Sequence, residues 1–132
     1  MKVCEYKYNN NLHFLLVDEA QFLTAKQVEE LAYIVKNLNI TVICYGLKTD
    51  FRTYFFEGSK RLFELSDKTI EIERQCSCGR RNKTVNMRIE KGIPVFEGNQ
   101  IMIDGVEAEY TSVCRDCYME EKNKRRIKIR KM

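Results

Sequence analysis

Residues 12–45 read LHFLLVDEAQFLTAKQVEELAYIVKNLNITVICY. The run 12–17 (LHFLLV) is short and continuously apolar, as in a strand buried on both faces. Thr24 with Gln27 three positions on has the spacing of a capping box, so a helix starts there. Val28, Leu31, Val35 and Leu38 line one face of that helix, while Glu29, Glu30 and Lys36 lie off it. The helix is expected to end near residues 37–39. Residues 40–45 (ITVICY) are β-branched and apolar, a second buried strand. A strand, a helix and a strand joined by short links make a βαβ unit with parallel strands and a right-handed crossover.

Outward from this unit the character changes. Gly46 ends the second strand, and the loop LKTDFRTYFFEGS follows. Ser59 is placed to cap a short helix, KRLFELSD, and residues 69–73 alternate as a strand would. From Cys76 onward come short strands, TVNMRIE, PVFEG, QIMID and EYTSV, punctuated by Gly, Pro and Asn, as in a small β subdomain. No internal repeat and no low-complexity stretch interrupts the chain.

The 132 residues are 44% apolar and 32% charged, an ordinary globular composition. No apolar run nears the roughly 20 residues that span a bilayer, and the start, MKVCEYKYNNN, lacks a signal core. A cytoplasmic protein with no membrane partner is the expectation. The formal charge of +4 is concentrated at one end: residues 120–132 hold seven basic and two acidic residues. Such a tail can touch nucleic acid or another anionic surface. The plainer expectation is a solvated, frayed terminus with no nucleic-acid partner.

Six cysteines in an intracellular setting favour thiols or metal ligands over disulfides. Cys76-Ser-Cys78 and Cys114-Arg-Asp-Cys117 are two close pairs, 35 residues apart. Brought together by a β-ribbon, they supply four thiolates for a tetrahedral Zn²⁺. Two disulfides, or four unligated thiols, are the alternatives. Four protein ligands leave no open position for water, so such a zinc is structural. It would stabilise a subdomain too small to hold much core. Cys44 falls in a buried strand and reads as packing; Cys4 carries no signal.

Asp18 and Glu19 directly follow the first strand. Ligands of open α/β sheets bind just beyond the carboxyl ends of the strands. One carboxylate there can hold Mg²⁺ and another can take a proton from a hydroxyl nucleophile. A capping or salt-bridged surface pair is the structural alternative.

VDEAQFL, YGLKTDFRTYFFEGSKRLFELSD, CSCGRR and EYTSVCRDCY together resemble the zinc-containing thymidine kinases of the cellular and bacterial type. The C-x-C-G form is similar to a bacterial subgroup. The resemblance covers residues 12–118. It implies an α/β fold: part of a RecA-like P-loop-NTPase parallel sheet with helices, then a small β zinc-binding (lasso) subdomain. The division it implies is 1–73 for the C-terminal half of the kinase core, 74–118 for the lasso subdomain and 119–132 for the basic tail. The implied activity is transfer of the γ-phosphoryl of ATP to the 5′-hydroxyl of thymidine, in a homo-oligomer that is a tetramer in the family.

By position, Glu19 matches the general base, Asp18 the Mg²⁺-associated carboxylate and Gln21 the same nucleotide motif. Phe22 matches an aromatic that packs on thymine. Leu47, Phe51 and Phe56 match walls of the nucleoside pocket. Ile101, Ile103, Gly105 and Tyr110 match the lasso, whose backbone hydrogen-bonds the base edge. Cys76, Cys78, Cys114 and Cys117 match the zinc ligands. A thymine site needs an apolar slot with a few orienting polar groups, and a metal-braced loop reduces the ordering cost of binding.

Two features depart from the family. Its lasso reads I-G-G-N-x-x-Y, whereas residues 103–110 read IDGVEAEY, with Asp104 in place of a glycine and one residue more. Nor does anything match G-x-x-x-x-G-K-[ST], the loop that cradles the β and γ phosphates; the family carries it upstream of the Asp-Glu strand. The expectation is therefore a nucleoside half with its base but without the ATP half. The chain would be a C-terminal piece of a kinase, one member of a pair whose partner chain bears the P-loop, or a non-catalytic nucleoside-binding or zinc-stabilised interaction module. Sheet strands lacking neighbours would leave an apolar edge open to oligomerisation.

Overall fold

The computed structural model describes residues 11–80, 84–101 and 108–131. They form two compact units. The first runs to Lys48 and resumes over Phe55–Thr69; the second comprises Thr49–Tyr54 and the described residues from Ile70 onward.

In the first unit, β1 (Phe14–Val17) and β2 (Thr41–Cys44) pair in parallel, Phe14 opposite Thr41 through Val17 opposite Cys44. The helix between them, α1 (Ala25–Leu38), starts at Thr24 with the full capping box: Thr24 Oγ1 accepts from the Gln27 N–H at 3.1 Å, and Gln27 Oε1 from the Thr24 N–H at 2.9 Å. Its C-cap is Asn39 in the left-handed conformation that Asn tolerates. The βαβ unit is thus as the sequence implies, but its strands are not buried on both faces. Leu15, Val17, Val42 and Cys44 are half-buried, while Phe14 and Leu16 are 61% and 63% exposed. Two strands covered on one face leave alternate residues open, because strand side chains point to opposite sides. The helical stripe shifts too: Val28 and Ile34 are buried and Val35 is exposed.

The second helix, α2 (Glu57–Leu65), begins earlier than expected, with Phe56 as N-cap. Ser59 is not the cap. It is buried inside the helix, and its hydroxyl donates to the Leu47 carbonyl at 2.5 Å. The strand expected over residues 69–73 is not formed. Ile70 and Ile72 alternate with glutamates but are exposed, with no neighbouring strand among the described residues to pair with.

The second unit is an antiparallel sheet, ordered β4-β3-β5, of β3 (Thr84–Glu90), β4 (Ile93–Val95) and β5 (Glu109–Cys114). β3 and β4 are joined by Lys91-Gly92, both at positive φ (52° and 75°), as a two-residue hairpin turn demands. TVNMRIE and EYTSV are strands as expected. PVFEG yields strand only through Val95, and QIMID is not strand at Gln100 and Ile101; residues 102 and 103 lie outside the described residues. The tail continues α3 (Arg115–Lys131). Asp116 in the first turn complements the positive end of the helix dipole, and the tail is helical where a frayed end was expected.

Candidate functional site

The chain places chemistry at three clusters. The first is the turn after β1. Asp18 and Glu19 are exposed, and Asp18 Oδ1 accepts from the Glu19 N–H at 2.9 Å. Glu19 takes φ 50° and ψ 40°, a left-handed conformation that costs a side-chain-bearing residue about 1 kcal/mol. The single 3₁₀ turn Ala20–Phe22 follows. Its strain is over-determined by neighbours. The Ala20 N–H donates to the Tyr45 carbonyl at 2.9 Å. Gln21, 3% exposed, donates Nε2–H to Glu19 Oε2 at 2.5 Å and accepts from the Leu47 N–H at 3.1 Å. The Glu19 carboxylate is therefore oriented by a buried amide that is itself anchored to the loop after β2.

Two glycines make this packing possible. A methyl group at Gly46 would lie 2.6 Å from Gln21 Oε1, and one at Gly58 would lie 2.6 Å from both the Ala20 and Leu23 carbonyls. Beside the turn, Phe22 (exposed) meets Phe56 (buried) edge-on, with ring centroids 5.7 Å apart. Leu47 is exposed at its Gln21-bonded position. Asp18, Glu19, Gln21, Phe22, Leu47 and Phe56 thus belong to one unit, and its turn and loops hold them.

The second cluster is the four cysteines. Cys76 and Cys78 flank a tight turn in which the Gly79 N–H donates to the Cys76 carbonyl (2.9 Å) and the Cys76 N–H to that of Arg80 (3.1 Å); Gly79 has φ 92°. Cys114 ends β5 and Cys117 lies in the first turn of α3. All four sulfurs lie within 4.8 Å of one another and could hold a metal ion. The Cys76–Cys117 and Cys78–Cys114 sulfur separations are 3.8 and 3.7 Å. Thiolates at about 2.3 Å from a tetrahedral zinc lie about 3.8 Å from each other, so the donor set fits that ion.

The protonation pattern has the same origin. Backbone hydrogen bonds from Cys78 and then Cys114 lower the Cys76 thiol to about 6. Hydrogen bonds with the sulfurs of Cys114, Cys78 and Cys76 push Cys117 up to about 12. A divalent cation among the sulfurs would remove such protons, because coordinated thiols deprotonate. Outside this cluster, Cys44 is a free thiol whose pKa burial raises, in keeping with a packing role.

The third cluster joins Phe51 and Tyr110, which the resemblance singled out, to Asp50, Arg88, Gln100 and Tyr118, which it did not. Residues 49–54 form a turn around Asp50, 1% exposed. Its carboxylate accepts from the Arg52 and Tyr54 N–H groups, from the Arg52 guanidinium at 2.8 Å and from Gln100 Nε2 at 3.1 Å. Phe51, also 1% exposed, has its carbonyl fixed by the Tyr118 hydroxyl at 2.6 Å. Burial, and then the nearby Asp50 charge, raises the Tyr118 pKa. The Arg88 guanidinium carbon lies 3.7 Å from the Phe51 ring centroid, while Arg88 Nε donates to the Tyr110 hydroxyl at 2.9 Å.

Phe51 and Tyr110 are thus joined through Arg88; Ile101, exposed, follows Gln100 in sequence. Ile103 and Gly105 lie outside the described residues. Strand alternation opposes Arg88 to Met87, yet both are buried. No pattern in the sequence signals an inward arginine there.

Comparison with known proteins agrees with the resemblance. The thymidine kinase family profile matches residues 1–118. The chain is 49% identical over 109 residues to a thymidine kinase of Escherichia coli O157:H7, covering 83% of this chain and 53% of that protein. It is 47% identical over 109 residues to one from Aliivibrio fischeri, with 83% and 56% covered. For one from Zymomonas mobilis the figures are 45% over 120 residues, 90% and 61%. The chain therefore spans a little over half the length of the curated relatives it matches.

Proposed function

The chain belongs to the thymidine kinase family, and from that premise we propose that it carries the nucleoside-binding and base-bearing residues of a thymidine kinase. The reaction is ATP-dependent phosphoryl transfer to the 5′-hydroxyl of thymidine. One observation carries the assignment: Gln21, buried between the Leu47 N–H and the Glu19 carboxylate, orients Glu19 just beyond the carboxyl end of β1. In that role Glu19 accepts the proton of the attacking hydroxyl, and Asp18 would hold Mg²⁺. Phe22, Leu47 and Phe56 supply apolar surface for the nucleoside. Phe51, Ile101, Ile103, Gly105 and Tyr110 carry the contacts that the family resemblance assigns to them. Zn²⁺ on Cys76, Cys78, Cys114 and Cys117 braces the β subdomain.

No stretch of the 132 residues matches the Gly-rich phosphate loop, so ATP would be cradled by polypeptide outside this sequence, a P-loop-bearing segment or partner chain. The working form would be a homo-oligomer, a tetramer as in the family, in the cytoplasm, where thiols stay reduced. Among the described residues no helix is long and apolar enough to cross a membrane. A second reading is a nucleoside-binding module without transfer.

The test supplies the chain with a P-loop-bearing segment of a related kinase and measures thymidine phosphorylation. Glu19→Gln should lower the rate about 10²- to 10⁴-fold while thymidine still binds. Unchanged turnover removes Glu19 as base. Calorimetric thymidine binding with no transfer under any supplementation selects the binding module.

A further inference from the structure

Arg88 holds together Phe51 and Tyr110, two second-unit residues to which the proposed function gives nucleoside contacts. It sits in the middle of the sheet, opposite Val95 on β4 and Tyr110 on β5. Although charged, it is only 1% exposed. Three directions of its guanidinium are used at once. Nε donates to the Tyr110 hydroxyl at 2.9 Å, Nη2 donates to the Gln100 carbonyl at 3.2 Å, and the face lies against Phe51 at 3.7 Å. Gln100 in turn donates to Asp50, and Phe51 is fixed through its carbonyl by Tyr118.

An inward charge is expensive unless each donor finds a partner. An aliphatic side chain would fill the same volume without that cost, so packing alone does not explain an arginine here. What the arginine adds is geometry: a rigid planar fork that stacks on one ring while hydrogen-bonding the tip of another. Lysine has neither the plane nor the fork. The consequence falls on Tyr110, which is 48% exposed. Its hydroxyl is anchored while much of its ring stays open to solvent. A ring already fixed loses less freedom when a base or sugar packs on it.

We propose that Arg88 is a positioning residue for nucleoside binding, acting through its hydrogen bond to Tyr110 and its stacking on Phe51. The inference rests on the nucleoside-site reading above and extends it to a buried residue that acts through its neighbours Tyr110 and Phe51.

The experiment measures thymidine binding to the full chain by calorimetry for wild type, Arg88→Gln, Arg88→Lys, Tyr110→Phe and the Arg88→Gln/Tyr110→Phe pair. Bound metal is assayed in each, so that a variant that loses the cysteine cluster is recognised as misfolded and the lysine variant is read in place of the glutamine one. Arg88→Gln and Arg88→Lys should each weaken binding about 10- to 100-fold, as for loss of a charge-assisted hydrogen bond, with metal retained. The double variant should lose less than the product of the single losses, because the two side chains act as one unit. A purely structural arginine would give independent, multiplying losses. Wild-type affinity in both metal-retaining Arg88 variants, or strictly multiplicative losses, overturns the proposal.

A second measurement separates this inference from the nucleoside reading. With 3-fluorotyrosine at position 110, the fluorine resonance should shift or broaden in Arg88→Gln and in Arg88→Lys. If wild type binds no thymidine, the nucleoside reading fails, and an altered resonance still supports positioning of Tyr110 by Arg88. An unaltered resonance overturns it.

Discussion

Replacing Gly58 by alanine tests how tightly α2 is seated against the turn that bears Glu19. In a helix interior alanine is better than glycine by about 1 kcal/mol, which is an upper bound for Gly58 in the first turn of α2. Here a methyl group would sit 2.6 Å from the Ala20 and Leu23 carbonyls and 3.0 Å from that of Gln21. All three are backbone atoms, so no side chain can swing away. Restoring ordinary contact requires α2 to retreat by about 0.8 Å. That movement strains the two bonds flanking it, Ser59 Oγ to the Leu47 carbonyl and the Ala25 N–H to Glu57 Oε1. Overpacking costs about 1–3 kcal/mol and a weakened buried hydrogen bond about 1 kcal/mol. Against the helix-propensity gain, the net loss is about 2 kcal/mol, a fall of about 10 °C in the midpoint of a unit this size. Thermal unfolding of the metal-loaded chain, followed by circular dichroism, reads it directly. Lys60→Ala, at an exposed position of the same helix, should leave the midpoint nearly unchanged. A Gly58→Ala midpoint equal to or above wild type would refute the close-approach reasoning, since propensity alone would then have decided the sign.

The capping box and the cysteine cluster give two further expected outcomes. Thr24→Ala removes the capping-box acceptor for the Gln27 N–H and should lower stability by about 1 kcal/mol in denaturant titration; a change within error would show that α1 is held by its packing alone. Stripping metal with a strong chelator, or Cys114→Ser, should unfold the β4-β3-β5 sheet, because four clustered sulfurs without a cation cannot brace so small a core. Amide exchange in β3 that stays as slow as in the metal-loaded chain would contradict this.

Where local chemistry suffices, the amino-acid order alone specified the result. Thr24 and Gln27 set the start of α1, the apolar runs set a parallel β1–β2 pair, and the two cysteine pairs converged as metal-ligand spacing requires. Each depends on side chains within a few residues of one another, or on a donor set with one favoured geometry. Other features required the assembled structure. Ser59 looks like a helix cap, yet its hydroxyl bonds the Leu47 carbonyl because the chain folds back beside it. Phe14 and Leu16 look like core but stand open, since burial depends on what covers a face and not on the residue itself. Residues 49–54 pack with the β subdomain although they lie between two stretches of the α/β unit. Arg88 is buried against strand alternation because Phe51, Gln100 and Tyr110 arrive from three separate parts of the chain to receive its donors. Hydrophobic period and capping are local signals; desolvation and hydrogen-bond partnering are sums over neighbours that only folding brings together.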